Sequence, residues 1–408
     1  MKKRPERQEP RSAKGKSNPG SRRDGPSGPS RQREKPQAGA FAGATAKSGP
    51  ARSGSAKPAT AKAATARPAT NRPSSPQAPR PVPAKAVPAG PTIAEQRPLI
   101  TREGFLPAER VPVILESSSA GEFHLIDSGA GLKLEQYGPY RIVRPEAQAL
   151  WQPSLPAHIW DKADAVFTGD TDEDGMGRWR FPREALGETW PMSLLGVDFL
   201  GRFTSFRHVG VFPEQIVHWA WVKEKAEQAG RPLKVLNLFG YTGVASLVAA
   251  AAGAEVTHVD ASKKAIAWAR ENQSLAGLDR APIRWICEDA MKFILREERR
   301  GSRYDIILAD PPKFGRGPNG EVFHLFEQLP HMLDICREIL APKATGLVLT
   351  AYSIRASFFS IHELMRETMR GAGGVVESGE LVIREAGADG QDKGRALSTS
   401  LFSRWVSQ

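Results

Sequence analysis

The sequence predicts an α/β fold: a parallel sheet wound with helices on both faces and closed by an antiparallel pair, preceded by a β-rich region and a basic tail. Three observations carry this. From Pro232 onward, apolar runs of strand length alternate with runs of helical period across short connections. The last two runs, "VVESGELVIRE" and "STSLFSRWV", have no helix between them, which argues an antiparallel pair. Successive predicted strands end on glycines or carboxylates, where an open parallel sheet holds its ligands.

In chain order, residues 1–95 are Pro, Ala, Gly, Ser, Lys and Arg without period. Such a segment buries too little apolar surface to offset its ordering entropy, so a disordered tail is expected. The tail holds 20 basic and 5 acidic residues, whereas the remaining 313 hold 37 basic and 40 acidic. The excess charge of +12 therefore belongs to the tail. It serves either as a solubilising segment or as an electrostatic tether for phosphate backbones.

Residues 96–225 form the β-rich accessory region. "RVPVILES", "EFHLIDSG", "GLKLEQYG" and "YRIVRP" read as short strands separated by turn residues. "DTDEDGMGRWRF" places Asp170, Asp172, Asp174 and Gly175 like the first half of a calcium loop, but Phe181 stands where the bidentate glutamate belongs. An acidic turn between strands is the better reading, and no metal is expected. Arg178, Trp179 and Arg180 interleave cations with an aromatic ring, a pattern that can grip single-stranded nucleic acid and that half-buried edge strands show equally.

From residue 226 to 408 the alternation sets in. "KVLNLF", "EVTHVD", "IRWIC", "YDIILAD" and "GLVLTAY" read as strands, with helices "VASLVAAAA", "SKKAIAWARENQSLAGL", "AMKFILREERR", "HLFEQLPHMLDICREIL" and "FFSIHELMRETMRGAGG" between or after them. Only Cys287 and Cys336 occur, which excludes a disulfide framework and suits a reducing, cytoplasmic setting. No apolar run reaches the ~18–20 residues of a membrane span. The start "MKKRPERQEPRSAKGK" lacks the apolar core of a secretory signal.

The strand ends carry the chemistry. The first ends in "NLFGYTGVAS", with Asn237, Gly240 and Gly243, where glycine allows a tight turn and close approach of a ligand. The dinucleotide fingerprint is absent. The second ends in Asp260, suited to accept both hydroxyls of a ribose or to cap the next helix. After the third come Glu288 and Asp289, where a carboxylate can accept from an adenine amino group. The fourth ends in Asp310-Pro311-Pro312, followed by Lys313 and Phe314. Turn, ribose, base and reaction centre follow one another in the order an adenosine-based ligand requires.

These motifs resemble a known family. "NLFGYTG", "HVDAS", "ARENQ", "CEDAM" and "DPPKF", with "GVFPEQ" (Gly210 to Gln215) upstream, are similar to those of the methyltransferases that modify bases of large-subunit ribosomal RNA. The resemblance implies a Rossmann-like, seven-stranded class I methyltransferase sheet with S-adenosyl-L-methionine as cofactor. It implies cofactor contacts from Asn237, Phe239, Gly240, Tyr241, Thr242, Gly243, Asp260, Ala261, Asn272, Asp289, Ala290 and Asp310. Gly240 and Gly243 would lie beside the methionine part, Asp260 on the ribose and Asp289 at the adenine. Asp310, Lys313 and Phe314 would carry catalysis, the prolines holding Asp310 and Phe314 where a substrate base meets the sulfonium. Ribosomal RNA is the implied partner; the sequence specifies no oligomeric state.

Members of that family making 5-methylcytosine attack the ring with a cysteine in a T-C-S-type segment after the fifth strand. Thr350-Ala351-Tyr352-Ser353 stands there. A nitrogen or hydroxyl acceptor needs only orientation and a proton acceptor such as Asp310, whereas the carbon-5 route lacks its motif cysteine; the sequence does not specify the atom methylated. The alternatives are an enzyme of the same fold acting on a protein or small molecule, and a non-catalytic RNA-binding relative.

Overall fold

The structure, a computed structural model, describes residues 98–117, 121–169, 176–352, 356–386 and 394–408. The basic tail, the acidic run from Asp170 to Gly175 and Ser353 lie outside the described residues.

The β-rich region opens with β1 (Ala108–Ser117), then β2 (Phe123–Gly129), β3 (Leu132–Tyr137) and β4 (Tyr140–Pro145). A single helical turn, α1 (Ala157–Trp160), leads to β5 (Ala165–Gly169) and β6 (Gly177–Arg180). The hairpin β7 (Thr189–Leu194) and β8 (Val197–Arg202) follows, then a 3-10 turn at Pro213–Gln215 and α2 (Ile216–Gln228).

The alternation is as the sequence predicts: β9 (Lys234–Leu238), α3 (Val244–Ala251), β10 (Glu255–Asp260), α4 (Lys263–Leu275), β11 (Ile283–Cys287), α5 (Ala290–Arg299) and β12 (Ile306–Ala309). A short hairpin, β13 (Phe314–Arg316) and β14 (Val322–His324), precedes α6 (Leu325–Glu338). The chain closes with β15 (Gly346–Tyr352), α7 (Phe358–Thr368), β16 (Val375–Arg384) and β17 (Ala396–Val406).

Among the described residues the large sheet runs β1-β16-β17-β15-β12-β9-β10-β11. Its core pairs, β15/β12, β12/β9, β9/β10 and β10/β11, are parallel, and β17 is antiparallel to both neighbours. All four residues of β12 are buried, as its unbroken apolar run demands. The chain leaves β9 toward β10 and β11 and then returns to β12 on the other side. The carboxyl ends of β9 and β12 therefore flank a switch point, which opens a crevice.

The sheet has eight strands where the sequence predicts seven. The extra strand is β1, read as part of the accessory region, which pairs in parallel with β16. Its alternating pattern suits any half-exposed edge, so the partner is a tertiary choice invisible locally. The predicted strand "IRWIC" is β11, the opposite edge, and only half-buried.

β2 to β6 form a second sheet in the order β2-β3-β4-β5-β6. Its aromatic interior (Phe123, Tyr137) and the hairpin's Trp190 and Phe199 share one hydrophobic core with Val244, Leu247 and Val248 of α3. The Arg-Trp-Arg segment is a half-buried edge strand. Successive strand residues face opposite ways, so Arg178 and Arg180 are exposed while Trp179 turns inward. Its ring lies 4.9 Å from that of Phe203, and its Nε1 donates to the carbonyl of Thr204 at 2.8 Å. Among the described residues, no helix is long and apolar enough to cross a membrane.

Candidate active site

The loop leaving β9 is strained and tightly anchored. Phe239 and Tyr241 take φ of 58° and 51°, the left-handed region, and Gly243 takes 82° at the N-cap of α3. Each non-glycine residue held there costs on the order of 1–3 kcal/mol and persists only where its surroundings enforce it. They do: Gly240 N–H donates to Val259 O at 3.1 Å, and Tyr241 N–H to Asp260 Oδ2 at 2.9 Å. Thr242 Oγ1 donates to Gly210 O at 2.6 Å.

Glycine at 240 is demanded from below. A Cβ there would meet His258 Cε1 at 2.4 Å and Asn237 Nδ2 at 2.9 Å. Those groups form a buried polar layer: Asn237 Nδ2 donates to Ser246 Oγ at 2.9 Å, and Ser246 Oγ lies 3.0 Å from His258 Nδ1. Burial pushes the His258 imidazole down to about 3. The side of Gly240 that a Cβ would fill is thus taken by the protein's own histidine, while the residue also lines the cleft. Asn272 is also structural. Its side chain, fully buried, accepts from Leu200 N–H at 2.9 Å and donates to Thr242 O at 2.9 Å, tying the accessory hairpin to the loop. It does not line the cleft.

Asp260, at the end of β10, is not the cap of α4. Ser262 takes that role by accepting from Ala265 N–H at 3.2 Å. Asp260 instead receives one backbone N–H on each oxygen, from Tyr241 and from Ser262 at 2.8 Å, and lines the cleft beside Ala261. Burial raises its pKa, against the pull of those two N–H groups. Asp289 does cap a helix: its Oδ1 accepts from Lys292 N–H of α5 at 2.9 Å. Burial raises this carboxyl too, and it lines the cleft next to Ala290. Glu288 is committed to Arg296 through two short hydrogen bonds of 2.6 and 2.5 Å.

The cleft, about 430 Å³, runs across the carboxyl ends of the central strands. Phe239, Gly240, Tyr241 and Thr242 line one side, Asp310, Pro311, Pro312 and Lys313 the other. Gly243, hemmed in by Ala269 and Trp285, stays behind the loop. Phe314 departs from expectation: it is 42% exposed on β13, its ring 5.0 Å from that of His324, and it does not line the cleft. Strand alternation sends its neighbour Gly315 inward and Phe314 out.

The third wall is the segment from His208 to Trp219; the "GVFPEQ" motif already pointed to Glu214 and Gln215 here, whereas His218 and Ser400 were missed. Glu214 lines the cleft with its carboxyl raised by burial. His218 on α2 is buried with neither ring nitrogen bonded within the protein, and burial pushes it down to about 3. Ser400 Oγ, on β17, is buried and likewise unbonded in the same cleft. A histidine within the apolar run "IVHWAW" was the one local signal. Tyr352, ending β15, accepts from Arg207 Nη2 at 2.8 Å and closes this side.

The residues of a family described as S-adenosylmethionine-dependent methyltransferases match this chain over 169–380. The chain belongs to that family. The methyltransferase is also similar, at 80% identity, to a crystal structure of a SAM-dependent methyltransferase from Agrobacterium tumefaciens. That likeness covers 76% of this chain and 98% of the other, with a TM-score of 0.75. It is 37% identical to ribosomal RNA large subunit methyltransferase K/L of Shewanella baltica over 149 residues, 36% of this chain and 20% of that protein. It is 35% identical to ribosomal RNA large subunit methyltransferase I of Aeromonas salmonicida over 131 residues, 29% and 30% of the two chains. The methyltransferase thus spans less than a third of the length of these two relatives.

S-adenosylmethionine is its cofactor, and the residues present fit it. The cleft volume lies in the range of small-molecule sites, about 300–1,000 Å³. Asp260 has an acceptor lone pair left on each oxygen after its two backbone bonds, as a vicinal diol requires.

Proposed function

We propose that this enzyme methylates a nitrogen or oxygen atom of an RNA nucleotide, ribosomal RNA being its substrate, in the cytoplasm. The observation that carries the choice of acceptor is the absence of a usable thiol at the cleft. Where the carbon-5 route needs its cysteine stands Ala351, fully buried in β15. Cys336 is buried in α6 with its thiol pushed up to about 12, and so is not a nucleophile. Cys287 ends the edge strand β11, its Sγ directed to Ala261 O at 3.7 Å. Neither lines the cleft. The RNA reading is supported by the names of the two relatives matched over the shared segment.

When bound, the cofactor supplies an electrophilic methyl group on a sulfonium. Asp260 would hold the ribose hydroxyls, Asp289 the adenine edge, and the loop of Phe239 to Thr242 the methionine end. Asp310 accepts the proton that the acceptor atom releases. Pro311 and Pro312 restrict the backbone behind Asp310, which keeps the proton acceptor in register with the methyl group; misplacement by about 1 Å costs roughly 10²-fold. The wall of buried Val211 and Trp219 with half-buried Phe212 keeps water from the reacting atoms.

Mass-spectrometric mapping of modified nucleosides in ribosomal RNA from cells with and without the gene tests this. A nitrogen- or oxygen-methylated nucleoside that disappears with the gene is the expected result. An unchanged RNA profile alongside a lost protein or metabolite methylation would replace the substrate assignment.

A further inference from the structure

The hairpin β13/β14 presents two unlike faces. Its cross-strand pairs are Phe314 with His324, Gly315 with Phe323, and Arg316 with Val322. The middle pair faces the protein: Gly315 and Phe323 line the cleft, and the Phe323 ring packs 5.2 Å from Phe239. The outer pairs turn to solvent. Phe314 is 42% exposed and Val322 41%, and Phe326, two residues past the hairpin, is 57% exposed.

Three features make this face more than a patch of stray apolar residues. First, Phe314 and His324 form an edge-on aromatic pair, which leaves a π-face open to solvent. Second, the cations Lys313 and Arg316 border the face and also line the cleft, and neither has a carboxylate partner among the described residues. Third, the hairpin is braced. Leu325 N–H donates to Lys313 O at 3.1 Å, Gly317 N–H to Glu321 O at 2.8 Å, and Glu321 is paired with Lys292 of α5. The acid of the turn is thereby neutralised from behind.

We propose that the outer face of this hairpin is a stacking platform for single-stranded RNA flanking the methylated nucleotide, one base lying on Phe314 and the adjoining phosphates on Lys313 and Arg316. This rests on the RNA reading above. A ring with an open face beside cations that have no carboxylate partner among the described residues matches the alternating chemistry of a single strand, base then phosphate. A duplex hides its base faces against one another and offers Phe314 nothing. The position fits as well, because the cleft wall and the platform are opposite faces of one two-stranded element. A strand that delivers a nucleotide into the cleft past Lys313 leaves its neighbour over Phe314.

The test uses the full chain, wild type and the variants Phe314→Ala and Phe314→Tyr, with fluorescein-labelled oligoadenylate of about 12 nucleotides and a matching RNA duplex. Anisotropy is read at about 0.2 M salt, where purely phosphate-driven binding is weakened. Calorimetry with S-adenosylmethionine reports whether each variant retains its fold. The expected result is a loss of roughly fivefold or more in single-strand affinity for Phe314→Ala. Phe314→Tyr should stay near wild type, with duplex and cofactor binding unchanged. Equal single-strand affinity in wild type and Phe314→Ala overturns the platform while leaving the RNA reading standing. An equal loss on duplex and single strand also overturns it, since stacking would not be the cause. A wild-type chain with no affinity for either RNA removes the RNA reading and the platform together.

Discussion

The N–H of Tyr241 donates to Oδ2 of Asp260 at 2.9 Å, so the strained residue of the β9 loop is pinned by the carboxylate that ends β10. The acid proposed to hold the ribose also holds the loop in shape. Asp260→Ala therefore removes both functions at once. We expect cofactor affinity to fall by about 10- to 100-fold, the worth of roughly 1.5–3 kcal/mol for bonds to a charged acceptor. Calorimetric titration of a folded variant checks this, and unchanged affinity would remove Asp260 from the site.

Replacing Cys287 and Cys336 together should spare methyl transfer. Cys336→Ala costs stability, on the order of 1 kcal/mol for the lost buried volume, without touching the cleft. Asp310→Ala should lower turnover strongly and leave cofactor affinity near wild type, because it acts on the reacting atom more than on the bound ground state. A covalent adduct with 5-fluorocytosine-containing RNA, lost on removal of either thiol, would restore the carbon-5 route.

Stability should decline on the acid side from about pH 6.5. His218 and His258 are buried, and both are pushed down to about 3 from an ordinary 6.5. The folded value lies below the unfolded one, so the unfolded chain takes up the proton first. Their contribution is complete above pH 6.5 and is lost as pH falls toward 3. Each adds up to about 1.4 kcal/mol per pH unit inside that window. Denaturant midpoints measured between pH 7 and 4 should fall steeply, and His258→Gln should flatten the slope by about one proton. Parallel slopes for variant and wild type would contradict the assignment.

Deleting residues 1–95 should leave S-adenosylmethionine binding intact and flatten the salt dependence of RNA binding. The segment carries 20 basic residues, and each phosphate contact contributes to the slope of log affinity against log salt. A slope identical to that of the full chain would show that the segment is no tether.

What could be read from the sequence was what is local. Strand and helix periods placed β9 to β12 and their helices, and Asp260, Asp289 and Asp310 announced themselves as acids ending apolar runs. What was missed depends on parity or on distance. Phe314 points outward because the hairpin strand begins at that residue, and a shift of one position would have sent it into the cleft. Asn272 looked like a cofactor contact because it sits in a familiar motif, yet it bridges Leu200 and Thr242, which are far from it in sequence. His218 and Ser400 come to line one cleft only after α2 and β17 have packed. No pattern within either segment encodes this.

The path of β1 has a consequence for how the molecule can be divided. The chain enters the edge of the large sheet at Ala108–Ser117, leaves to build β2 to β8, and re-enters through α2. The accessory region is thus an insertion bounded on both sides by the sheet it serves, and α3 supplies part of its core. Cutting before residue 226 strips β16 of a neighbour and exposes Val244, Leu247 and Val248. Such a fragment should aggregate rather than bind cofactor, and the intact chain should melt in a single calorimetric transition. The accessory region and the cofactor sheet are thereby parts of one cooperative body, so neither can be lent to another protein without the other.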